Sequence, residues 1–233
     1  MIAMPILVPF ILVALLLPQA KPEAHVDRKI EGWIVHIDKR LTEGTDKPLG
    51  DRALRILADR LDTIESRVAA DKVAWFQGHV PIWIDLTCGD LVSPQYHPGA
   101  DWLKEHGYDA KMAKCVQIPS AKYFVGAGFQ MHQPLAVLHE MSHAYHDQVL
   151  GFDDKEIKDA YDKFKASGKY EKVLRSSGRM ERHYGLTNPM EFFAEMTESY
   201  FGANDFFPFN QGELKQQEPD IFALMQKIWG RTP

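Results

Sequence analysis

His139-Glu140-Met141-Ser142-His143 sets two imidazoles four residues apart with a carboxylate between them. On an α-helix that spacing turns both rings to one face, about 40° apart around the axis. Neutral imidazole is a good Zn²⁺ ligand, and Glu140 can reach a metal-activated water without binding the ion itself. Composition alone would produce the pattern about 0.025 times in a chain of this length. The competing reading is a pair of hydrogen-bonded core histidines. Two of them around a carboxylate leave several polar groups to satisfy, which a metal ion does economically.

Farther along, Glu191, Glu195 and Glu198 recur at i, i+4 and i+7 as one acidic stripe, while Phe192, Met196 and Tyr200 take another face. Alone, the stripe reads as a solvated surface. Beside the two-histidine helix it can supply a third protein ligand and leave a fourth position for water, as a catalytic zinc site requires. His146 shares the face of His139 and His143. As a fourth ligand it would close the site; one turn beyond His143, it reads better as a cleft wall or a support behind the ligands. The metzincin arrangement is excluded, because its Gly and third His are missing after His143.

These side chains need elements to hold them. Pro134 suits the first turn of the motif helix and Gly151 its end, and the apolar run Leu135 to Leu138 sends that helix into the interior. Asn188 as cap and Pro189 as first residue start the acidic helix, which runs to about Gly202. Before the motif, alternation at Trp33, Val35 and Ile37 predicts a strand over 32–38, and Pro81–Leu86 predicts another. Glu43–Gly50 reads as a loop, and Asp51 as the cap of a helix whose stripe is Leu54, Leu57, Leu61, Ile64 and Val68. A short helix near Ala100–His106 and strands near Cys115–Ile118 and Lys122–Val125 follow; from Pro134 onward the pattern is helical almost to the end. Strands first and helices later describe an α+β architecture with a sheet-bearing lobe over 28–150 and a helical lobe over 151–233.

The 233 residues suffice for one large domain over 21–233, and 45% hydrophobic with 25% charged residues is ordinary for a soluble globular chain. A net charge of −5 gives no support to nucleic-acid binding. Residues 1–17 carry no charge and end in Pro18-Gln19-Ala20, which suits a signal peptide over 1–20 and a secreted or extracytoplasmic protein; the alternative is an uncleaved anchor that ties the chain to a membrane. In an oxidising compartment Cys88 and Cys115 could close a disulfide contributing about 3 kcal/mol; otherwise they are two buried thiols.

His139-Glu140-x-x-His143 followed by Tyr184-Gly185-x-Thr187-Asn188-x-x-Glu191-Phe192-Phe193-Ala194-Glu195 resembles the catalytic domain of the anthrax toxin lethal factor family, zinc metallopeptidases of the gluzincin type. The resemblance spans residues 81–200 and implies a zincin-like fold, with a small mixed sheet and the HExxH helix ahead of a mainly helical lobe. It implies His139, His143 and Glu191 as ligands of one Zn²⁺ and Glu140 as general base. It implies Tyr184 as hydroxyl donor to the oxyanion, Glu195 as the acceptor that orients a ligating histidine, and Asp147 in a structural or supporting role.

Two functions follow as expectations. The first is an exported zinc metalloendopeptidase acting on a peptide or protein substrate. The second is a non-catalytic, zinc-stabilised extracellular binding module; Glu140 and Tyr184 favour the first, since a structural site needs neither. A peptide would add as a strand along Lys114–Ile118 or Tyr123–Val125. Ser176–Thr187, with Arg179, Arg182 and His183 around Tyr184, either lines the cleft or forms a solvated basic turn.

Overall fold

The computed structural model describes residues 21–230, so the segment 1–20 expected as signal peptide or anchor lies outside the described residues. The first half builds a five-stranded sheet from β1 (His25–Ile30), β2 (Trp33–Asp38), β3 (Ile82–Ile84), β4 (Gln95–Tyr96) and β5 (Val116–Ile118), in the order β1-β2-β3-β5-β4. β1 and β2 form an antiparallel hairpin, β2, β3 and β5 run parallel, and β4 returns antiparallel on the outer edge. Trp33, Val35 and Ile37 are fully buried, as their alternation demands. β1 escapes a sequence reading because Val26 to Lys29 are all exposed, leaving no alternation of burial to detect.

α1 (Lys47–Arg67) buries Leu57, Leu61 and Ile64 from the predicted stripe, but it starts ahead of the predicted cap. The expected loop over 43–50 shrinks to a 3-10 turn at Gly44–Asp46, and Asp51 sits inside the helix, paired with Lys47 at 2.6 Å. Two residues that read as loop formers are helical for specific reasons. Pro48 occupies the first turn, where no N–H is needed. At Gly50 a Cβ would lie 1.9 Å from the carbonyl oxygen of Leu41, so the close approach of that backbone requires glycine. α2 (Ala70–His79) follows with only Val73 and Phe76 buried, too few positions to register as a stripe.

α3 (Ala100–Glu105) lies where the sequence predicts a short helix. Lys122–Val125, expected as a strand, belongs instead to α4 (Ala121–Phe124). Its aromatic and β-branched run mimics strand composition, but Ser120 caps a helical turn that buries Ala121 and Phe124 three residues apart. α5 (Ala127–His132) leads to α6 (Ala136–Tyr145), which begins two residues after Pro134 rather than on it. α6 continues as a π-helical turn, His146–Leu150, and stops at Gly151 with φ 85°. The second half comprises α7 (Lys155–Ala166), α8 (Pro189–Phe201), α9 (Gln211–Gln217) and α10 (Pro219–Trp229), interrupted by the hairpin of β6 (Val173–Leu174) and β7 (Met180–Glu181).

The architecture is therefore mixed α+β, with one continuous apolar core running from Trp33 in the sheet to Trp229 in the last helix. Trp229 closes that core beside the functional residues. Its ring stacks on Phe193 of α8 at 5.7 Å and meets Tyr145 of α6 at 4.9 Å, and its N–H donates to Thr197. A satellite core gathers Trp83, Cys88, Leu103, Met112 and Cys115. Both cysteines are free thiols there, so the disulfide alternative is not the one this structure holds. Burial pushes the Cys88 thiol up to about 12 and Cys115 well above its usual value, which leaves both unreactive. Among the described residues no helix is long and apolar enough to cross a membrane.

Candidate metal centre

α6 enters the interior with Leu135 to Leu138 all buried, and it leaves His139 and His143 each 9% exposed at the floor of a cleft. α8 meets it from the other side. Its cap, Asn188, accepts the Glu191 N–H at 2.8 Å and so fixes Glu191 in the first turn, where the helix dipole favours a carboxylate. Glu191 Oε2 lies 3.1 Å from His139 Nε2 and 3.4 Å from His143 Nε2. A tetrahedral ion with bonds of about 2.0–2.1 Å has donor-to-donor edges of roughly 3.3 Å. The two carboxylate-to-imidazole separations fit edges of such a site, and all three donor atoms lie within 4.8 Å of one another.

The group behind His139 is not the expected one. His139 Nδ1 lies 2.6 Å from Glu198 Oε1, whereas Glu195 is 4.0 Å away. Glu198, at i+7 of the stripe, orients the His139 ring; Glu195 is a buried carboxyl whose Oε2 has no hydrogen-bond partner among the described residues. Burial and the nearby Glu198 raise the Glu195 pKa well above the usual carboxylate range. Burial alone would lower the His139 pKa, but Glu191 and Glu198 on its two nitrogens outweigh it and raise it. Glu191 is held well below its ordinary value, because the two histidines overcome the burial that opposes ionisation. A cation at Nε2 would take the place of the proton that this carboxylate otherwise demands.

Glu140 and Tyr184 line the same cleft, which measures about 520 Å³. Burial raises the Glu140 pKa, the direction a general base needs. Tyr184, 46% exposed, has its ring centre 6.4 Å from that of His139. Burial and the charge of Glu191 raise its pKa, so the phenol keeps its proton through neutral pH. Tyr184 opens a 3-10 turn capped by His183, whose Nδ1 accepts the Gly185 N–H at 3.0 Å. His183 itself is fully buried among Phe164, Tyr170 and Phe206. It does not line the cleft, and Arg179 and Arg182 pair with Glu181 and Glu171. From the loop 176–187, only Tyr184 is among the residues lining the cleft.

Asp147 takes the structural of its two expected roles, and the expectation for His146 changes. Asp147 does not touch the histidines; it accepts the Tyr96 hydroxyl at 2.6 Å and the Lys114 ammonium at 2.5 Å, a structural role. His146 is fully buried between Phe152 and Phe193, neither a fourth ligand nor a cleft wall, and neither ring nitrogen has a partner among the described residues. Its backbone is still α-helical, but it lies a turn beyond His143, where Phe152 and Phe193 cover the helix. Burial, with the neighbouring His143, lowers its pKa to about 4. A base whose folded pKa lies below its unfolded value takes up its proton only on unfolding. Wild type therefore loses stability at this position as pH falls from 6.5 to about 4. His146→Leu removes the unpaired nitrogens and is expected to stabilise the fold by about 1 kcal/mol at neutral pH. Its advantage over wild type grows by about 3 kcal/mol on acidification to pH 4; urea unfolding of both proteins across this range measures it.

The predicted peptide edges also move. β5 lies between β3 and β4 and has no free edge, and 123–125 is not a strand. Of the two edge strands, β1 and β4, it is β4 that borders the cleft, whose lining includes Ser93, Pro94, Gln95 and Tyr96 together with Tyr123 and Gln133. A two-residue strand has no periodicity to betray it. No family model, curated protein or solved structure matches the chain.

Proposed function

We propose that this chain is an exported zinc metallopeptidase with a zincin-like fold of the gluzincin type, hydrolysing peptide bonds in a peptide or protein substrate. One observation carries the reading: His139, His143 and Glu191 converge from two helices with their donor atoms within 4.8 Å of one another, in a cleft that also holds Glu140 and Tyr184. Zinc, when bound by those three residues, would supply Lewis acidity to water and to the scissile carbonyl. Glu140, its pKa raised by burial, accepts the proton of the attacking water and returns it to the leaving amine. Tyr184 keeps its hydroxyl proton and donates to the carbonyl oxygen as it gains charge. Glu198 holds His139 in orientation, and β4 offers the peptide an edge to pair with.

The second reading, a zinc-stabilised binding module, needs neither a carboxylate base nor a phenol in the cleft, and both are there. The test is metal analysis with turnover of a mixed peptide library. We expect one zinc per chain, hydrolysis abolished by a chelator, and recovery on adding zinc back. Stoichiometric zinc with no cleavage of any library member would favour the binding module.

A further inference from the structure

Glu140 follows His139 by one residue and so projects about 100° away from it around α6. What meets it there is the edge strand. Glu140 Oε2 accepts the backbone N–H of Tyr96 at 2.8 Å. The direction of that amide follows from the ladder. His97 donates its N–H to Cys115 O at 3.1 Å and accepts from the Lys114 N–H at 2.6 Å, so His97 faces β5. In an antiparallel pair alternate residues face opposite ways, and Tyr96, opposite Val116, turns its N–H and C=O to the open edge.

β4 is two residues long and is held from its side chain as well. The Tyr96 hydroxyl donates to Asp147 Oδ2 at 2.6 Å, and Gln148 Nε2 donates to the same phenol at 3.1 Å. Lys114, at φ 64° in the left-handed region, rests its ammonium on Asp147. Asp147 and Gln148 lie in the π-helical turn that prolongs α6, two turns beyond Glu140. The contacts close a loop from the Glu140 carboxylate to the Tyr96 amide, through the phenol to Asp147, and back along one helix.

Resting on the peptidase reading, we propose that Tyr96 is the positioning residue of Glu140. Its amide aims the base, its outward C=O faces the incoming peptide, and Asp147, Gln148 and Lys114 lock it in place. Strand and base then share one reference point, and a shift of β4 moves both.

The test uses Tyr96→Phe, Asp147→Asn and the double variant, each with zinc content, melting temperature, kcat and KM measured, together with amide exchange at Tyr96 by NMR. We expect full zinc, kcat lowered by about 10–100-fold and KM altered by less than about twofold. The double variant should be no worse than the poorer single one, because both break the same link. Exchange of the Tyr96 amide should quicken by about tenfold or more in Glu140→Ala. Unchanged exchange there would overturn the link, and so would wild-type kcat in both clamp variants. If Tyr96→Phe does not fold, Asp147→Asn carries the kinetic test alone. If wild type cleaves no peptide, the peptidase reading fails, and amide exchange in Glu140→Ala and Asp147→Asn still decides the clamp.

Discussion

Glu140→Gln is expected to keep one zinc per chain and to lose peptide hydrolysis by about 10²–10⁴-fold in kcat. The substitution is nearly isosteric. Its amide oxygen can still accept the Tyr96 N–H, so the aim of the side chain survives. Its amide cannot take up a proton at neutral pH, so the step assigned to Glu140 stops while binding continues. His139, His143 and Glu191 are untouched, which is why metal content separates this outcome from a damaged site. Mass spectrometry of a digested peptide library together with elemental analysis reads both quantities. Hydrolysis at the wild-type rate in the Gln variant would sink the mechanism.

The second large effect is on the metal. Glu191→Ala removes the one carboxylate within 3.4 Å of both histidines and leaves two of the three proposed ligands. Zinc affinity should fall by more than the roughly 10–100-fold that loss of an outer partner causes. Competition with a chromogenic chelator measures it. Glu198→Gln, which weakens only the support behind His139, should stay within that 10–100-fold range. Full retention of zinc by Glu191→Ala would move the third ligand to Glu195, the next carboxylate on the stripe. The order Glu191, then Glu198, follows from which oxygens approach His139 Nε2 and Nδ1.

The site was legible where chemistry and helix period coincide. His139, Glu140 and His143 announce themselves by residue type at one-turn spacing, and Asn188-Pro189 marks the start of α8 to the residue. What the stripe does not say is how α8 crosses α6. The choice between Glu195 and Glu198 as the partner of His139 depends on that crossing, and three-dimensional packing decides it. His146 is misread for a related reason: helix period places it on the face of His143, but packing decides what covers that face one turn on, and there Phe152 and Phe193 bury it. In the sheet, buried alternating strands are visible while exposed β1 and two-residue β4 are not. Gly50 and Pro48 look like loop residues until the backbone of Leu41 explains one and the first helical turn the other.

The continuous core has a consequence for how the cell would sense metal. Both ligand-bearing helices belong to it, and Trp229 on the last helix bridges them. Metal capture at the proposed site would therefore draw on the same cooperative unit that must open when the whole chain unfolds, not on a detachable loop. An ion present at 1,000 times its dissociation constant adds about 4 kcal/mol to the folded state by mass action alone. Against a typical total of about 5–15 kcal/mol, that sets the susceptibility of the entire molecule to degradation. On the zinc reading proposed above, zinc supply and protein lifetime would become one variable, and starvation would clear the chain rather than accumulate it in an empty form.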